Sequence, residues 1–127
     1  MSQKKVFLVD DDPDFVDAVR AVVEGAGYAC EVAYDGQECM ERVGEVKPDI
    51  IILDVMMPEM DGNEAAKALK QNPDTAEIPI ILLTAVASRV TSSTYSHRDM
   101  LESEAEDYIP KPVEPEVLLG RIQDWLK

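Results

Sequence analysis

Basic side chains are scarce in this 127-residue chain: 12 Lys and Arg stand against 26 Asp and Glu, for a formal charge of −14. The imbalance is uneven. Residues 1–64 carry 5 basic against 16 acidic groups, a net of −11, while residues 65–127 carry 7 against 10, a net of −3. Such a surface repels phosphate backbones, which argues against direct nucleic-acid binding and favours cations and basic partner surfaces. Cysteine is nearly missing, and Cys30 and Cys39 match no metal spacing and are too few for a disulfide framework. Histidine occurs once, at His97 in a polar stretch, where a solvated loop residue is the expected role. No apolar run reaches the length of a membrane span, and the opening MSQKKVFLVDDD lacks a signal peptide's apolar region and cleavage site. These absences point away from membranes and toward the cytoplasm.

Apolar residues make up 46% of the chain, enough for one domain with a genuine core. They are grouped in short runs. Residues 6–9 form an apolar strand that ends in Asp10-Asp11-Asp12. Pro13 and a stripe at Phe15, Val16, Val19, Val22 and Val23 then predict a helix, capped by Asp12 and closed by Gly27. A second strand fits 29–34. Asp35 and Glu38 stand three apart like a capping box before a helix whose inner face is Cys39, Val43 and Val46, and Pro48 stops it. The unalternating run at 50–53 reads as a strand buried on both faces, with Asp54 at its end. A helix over 63–70 turns Ala65, Ala66 and Leu69 inward, and Asn72-Pro73-Asp74 is turn chemistry. The next buried strand, 80–83, ends at Thr84. Residues 88–97, SRVTSSTYSH, are polar and weakly patterned, and a helix over 98–105 has little support. Tyr108-Ile109 form a short strand before Lys111-Pro112, and 114–126 is a last helix with Val117, Leu118, Ile122 and Trp125 as its apolar residues.

Five repeats of strand then helix predict an α/β domain: a parallel sheet covered on both faces, with right-handed crossovers. The carboxyl ends of parallel strands share one edge, where such sheets place their ligand sites. Asp10, Asp11, Asp54, Thr84 and Lys111 therefore converge. Three neighbouring carboxylates repel unless a cation sits among them, and oxygen-only ligands suit Mg²⁺. One carboxylate can attack phosphorus to form an acyl phosphate, with Lys111 and Thr84 supplying charge and hydrogen bonds to the phosphoryl oxygens.

VFLVDDD at 6–12, DIIILDVMMPEMDG at 49–62, PIILLTA at 79–85 and DYIPKP at 107–112 together resemble the receiver domain of two-component response regulators. The likeness covers essentially the whole chain and is most similar to stand-alone, chemotaxis-type members. It implies a flavodoxin-like, three-layer, doubly wound (βα)5 fold with strand order 2-1-3-4-5 and a single receiver domain with no output domain. It implies Asp54 as phospho-acceptor, Asp11 as a direct Mg²⁺ ligand, Asp10 as one chiefly through water, and the Met56 carbonyl as the remaining ligand. Mn²⁺ would substitute for Mg²⁺. Thr84 would close on the phosphoryl group, Tyr108 would follow it as the switch aromatic, and Lys111, preceding a cis peptide to Pro112, would pair with the phosphoryl oxygens. A sensor histidine kinase or phosphotransfer protein would be the donor. The face built by the helix at 98–105, the fifth strand and the last helix would bind a downstream protein.

Blander roles hold elsewhere. Asp12 reads as a cap, Asp61-Gly62 as turn chemistry, and the side chains of Met56, Met57 and Met60 as packing. The chain departs from the family in a longer interval between Thr84 and Lys111 and in Glu102-Ser103-Glu104-Ala105-Glu106 before the fifth strand. Residues 88–97 are expected to order on phosphorylation. The apolar Met56 and Val86 are expected to slow acyl-phosphate hydrolysis by giving an incoming water no hydrogen bond. Competing readings are a phosphorelay intermediate, a Mg²⁺-dependent phosphohydrolase and an unphosphorylated docking module. Hydrolases of that kind use a second acid two residues past the nucleophile, where this chain has Met56.

Overall fold

The computed structural model describes residues 3–55, 62–84 and 105–126. Five parallel strands form one sheet in the order β2-β1-β3-β4-β5: β1 (Lys5–Val9), β2 (Ala29–Ala33), β3 (Ile50–Asp54), β4 (Ile80–Thr84) and β5 (Asp107–Pro110). The helices are α1 (Pro13–Gly25), α2 (Gly36–Val46), α3 (Gly62–Gln71) and α4 (Pro115–Trp125). The helix expected over 98–105 falls outside the described residues, Ala105 excepted.

Alternation along the strands divides the core in two. Phe7, Val9, Ile51, Leu53, Ile80 and Leu82 face α2 and α3, whereas Val6, Leu8, Ile50, Ile52, Ile81 and Leu83 face α1 and α4. All of these side chains are fully buried, as expected for a parallel sheet with both faces covered.

The helix starts follow local chemistry. Asp12 caps α1 by accepting the N–H groups of Asp14 (3.1 Å) and Phe15 (3.4 Å), with Pro13 at the first helical position. Asp35 caps α2 through the Glu38 N–H at 2.7 Å. The Glu38 carboxylate bonds the N–H of Tyr34 at 2.9 Å, one residue before the cap, so the capping box is displaced by one position. Asn72 accepts the Asp74 N–H at 2.9 Å, an Asx turn.

The apolar residues of the last helix divide between core and surface. Leu118 and Ile122 are buried, but Val117 is 56% and Trp125 42% exposed. Only about one stripe of a helix can meet the sheet layer, and Val117 lies about 100° round from Leu118. Trp125 instead donates its indole N–H to Asp107 Oδ2 at 3.1 Å, alongside Arg121 at 2.6 Å. Burial opposes the Asp107 charge, but these donors outweigh it and hold its carboxyl below the usual range.

At the amino edge of the sheet, Lys70 is only 7% exposed and donates to Ala76 O, Ile78 O and, at 2.6 Å, Glu106 Oε2. Glu106 Oε1 accepts the Ile80 N–H at 2.7 Å, tying the approach to β5 onto α3 and β4. On the opposite flank Arg42 of α2 donates to the Val32 carbonyl on edge strand β2, pairs with Glu31 at 2.9 Å and lies 5.7 Å from the Phe7 ring centroid.

Three stability changes are expected. Gly44 and Gly120 sit inside α2 and α4 with open space where a Cβ would project, so Gly44→Ala and Gly120→Ala should each raise unfolding free energy by about 0.5–1 kcal/mol. Leu82→Ala, at a fully buried site, should lower it by about 2–5 kcal/mol in urea titrations. Burial pushes the Cys30 thiol up to about 11 and the Cys39 thiol to about 12, from 9.0. An acid whose folded pKa is raised contributes stability that is whole below its unfolded pKa. Stability should therefore fall from about pH 9 upward by as much as roughly 1.4 kcal/mol per pH unit per thiol. A Cys30→Ala/Cys39→Ala variant should show a flatter decline in urea melts between pH 8 and 10.

Candidate functional site

The carboxyl edge of the sheet gathers the polar strand ends. Asp10 follows β1 directly, Asp54 ends β3, Thr84 ends β4, and Lys111 follows β5. Main-chain ladders extend past the strands to hold them: the Asp10 N–H donates to Ala33 O at 3.1 Å, and the Lys111 N–H to Thr84 O at 2.8 Å. Asp10, Asp54 and Thr84 are buried, and Asp11 is exposed at the rim. The peptide between Lys111 and Pro112 is cis, as the family resemblance implied.

The Lys111 ammonium bridges the buried acids, donating to Asp10 Oδ2 at 2.8 Å and to Asp54 Oδ2 at 3.4 Å. Burial disfavours its charge. The hydrogen bond to Asp10 and the charge of Asp54 more than offset this and hold its pKa above the ordinary lysine value. Asp10 Oδ1 accepts the Asp12 N–H at 3.0 Å, so both oxygens of Asp10 are engaged by the protein. One carboxylate oxygen from each of Asp10, Asp11 and Asp54 lies within 4.8 Å of the others.

That donor set fits a small hard cation. Two oxygens on opposite sides of one Mg²⁺ stand roughly 4.2 Å apart, so the three carboxylates reach one ion with little closure or through water. Asp10, already holding Lys111 and the Asp12 N–H, suits a water-mediated contact, and the exposed Asp11 suits a direct one.

Tyr108 pairs in register with Leu82 and packs, half-buried, against the core on the α2–α3 face. Thr84 pairs with Pro110 and, two residues beyond Leu82, falls on that same face by strand alternation. Met56, Val86, His97 and residues 88–97 lie outside the described residues, as do Met57, Met60 and Asp61. Asp12 is the cap expected of it.

The sequence pattern places Phe15 only on the α1 stripe. The structure half-buries it beside that stripe and sets its ring centroid 4.8 Å from the Lys111 nitrogen. The available signal was its place three residues after the cap, in the turn of α1 nearest the carboxyl edge.

A doubly wound parallel sheet with an acidic, lysine-bridged crevice at its switch edge defines the class of protein. The response regulator receiver domain family matches residues 6–123, and the chain belongs to it. The response regulators MprA of Mycobacterium leprae and Mycobacterium ulcerans are 38% and 36% identical over 126 residues, 97% of this chain. The chain spans about half the length of those relatives, 51% and 50%. Among solved structures it is similar to the chemotaxis response regulator CheY4 of Vibrio cholerae, with a TM-score of 0.85 and 30% identity over 98% of this chain and 99% of that one. The receiver domain of a signal transduction histidine kinase from Syntrophus aciditrophicus gives 0.83 and 34% over 97% and 89%.

Removing the bridge should take the shared ammonium away from two buried carboxylates. Lys111→Met is expected to cost about 3 kcal/mol at pH 7. In a double-mutant cycle, Asp10→Asn should restore part of that loss while keeping an acceptor for the Asp12 N–H. Additive losses in urea unfolding would contradict the bridge.

Proposed function

We propose that this receiver domain is a phosphorylation switch, with Asp54 accepting a phosphoryl group from a phosphohistidine of a sensor histidine kinase or phosphotransfer protein. The observation that carries the reading is the Lys111 ammonium suspended between Asp10 and Asp54, beside a third carboxylate at Asp11. An Asp54 oxygen attacks phosphorus, the phosphorus–nitrogen bond breaks, and the departing imidazole keeps the electron pair and takes a proton. Asp11, Asp10 and Asp54, with the carbonyl of Met56 expected from the family resemblance, would hold Mg²⁺, which would supply charge neutralisation there. Lys111 stands 3.4 Å from the acceptor carboxylate, so a modest shift from Asp10 brings it onto a phosphoryl oxygen. Thr84 donates its hydroxyl to another, and Tyr108, on the same sheet face, adjusts its packing in response. The exposed surface of β5 and α4 then changes its affinity for a protein partner.

Acetyl phosphate with Mg²⁺ should place one label per chain on Asp54, and Asp54→Asn should take none. Sustained release of phosphate from external substrate, without a stable label, would instead support a phosphohydrolase. At tenfold excess over its dissociation constant, Mg²⁺ should stabilise the fold by about 1.4 kcal/mol, and Asp11→Asn should abolish most of that gain in thermal melts.

A further inference from the structure

Lysine is a flexible donor with three N–H directions, and a bridging role demands that it stay in place. Two of its contacts at the carboxyl edge are the carboxylates of Asp10 and Asp54. The third side is met by the Phe15 ring, 4.8 Å from the ammonium nitrogen, within cation–π range. The ring is itself fixed. Its backbone N–H is held by Asp12, the Asp12 N–H is held by Asp10, and its underside packs on the α1–α4 core. Asp10, Asp12, Phe15 and Lys111 thus close a circuit from the first strand end through the first helical turn and back.

We infer that Phe15 is a positioning residue for Lys111, holding the ammonium over the crevice through its ring face and so setting how fast Asp54 takes a phosphoryl group. The inference rests on the phosphoryl-acceptor reading above. An aromatic face suits the task because it attracts the ammonium without cancelling its charge. A further carboxylate there would hold Lys111 equally well but would oppose an incoming phosphoryl group. The ring also covers a side chain that is still 27% exposed, limiting its escape to water.

The test compares Phe15→Leu and Phe15→Met with Phe15→Tyr and Phe15→Trp, using acetyl phosphate and saturating Mg²⁺. A small donor needs no protein docking, so loss of a kinase contact cannot enter. Leu and Met should slow labelling of Asp54 by about fivefold, while Tyr and Trp stay within about twofold of the parent. In NMR, the terminal methylene and ammonium resonances of Lys111 should be shifted by the ring in the parent, Tyr and Trp proteins and should lose that shift in Leu and Met. A role in packing alone would be satisfied by Leu or Met and would leave the labelling rate unchanged. Equal labelling rates across the series with unshifted Lys111 resonances would overturn the inference. If the parent protein itself takes no label on Asp54, the phosphoryl-acceptor reading fails, and the NMR series still decides whether the ring holds the lysine.

Discussion

The carboxyl edge depends on one cation held between two buried acids. Asp10 is wholly inaccessible and Asp54 nearly so. Two such carboxylates a few ångströms apart repel each other, and the Lys111 ammonium bridges the pair. Among the described residues, Asp11 adds a third carboxylate to the pair that Lys111 bridges. Three carboxylates gathered at one edge offer the oxygen ligands that a hard cation takes, and this links the edge to the proposed chemistry.

The scaffold is organised to keep that edge in register. Parallel strands need long crossovers, so the four polar strand ends come from segments as far apart as Asp10 and Lys111, yet the ladder bonds of Asp10 and Lys111 continue the sheet into the candidate site. At the other end of the sheet, the Lys70–Glu106 pair fastens the approach to β5. A buried lysine satisfied by two carbonyls and a carboxylate is a demanding contact to form incorrectly, so it fixes where β5 begins and with it the position of Lys111. The stiffness of one edge supports the placement of charge at the other.

Much of the fold was legible because its signals are local. Four-residue apolar runs between turn chemistry marked β1, β3 and β4, and the caps at Asp12 and Asp35 appear as expected because a side-chain oxygen reaches an N–H two or three residues on whatever the rest of the chain does. The last helix was harder. Val117, Leu118, Ile122 and Trp125 are all apolar, and their spacing allows a stripe wider than the one the sheet covers. The depth at which α4 lies against α1 and the sheet, a long-range property, put Leu118 and Ile122 inside and left Val117 and Trp125 out. Glu38 shows the same limit on a small scale, since its spacing from Asp35 is right but its carboxylate bonds Tyr34.

The sequence by itself determined the order of elements, the parallel sheet and the set of polar residues at the strand ends, because strand alternation and connectivity constrain those before any packing is known. Only the tertiary structure decided how the set is wired. It placed Lys111 closer to Asp10 than to Asp54, left Asp11 at the rim and laid the Phe15 ring against the ammonium. Distances between residues a hundred positions apart depend on how helices seat on the sheet, and no local pattern encodes them.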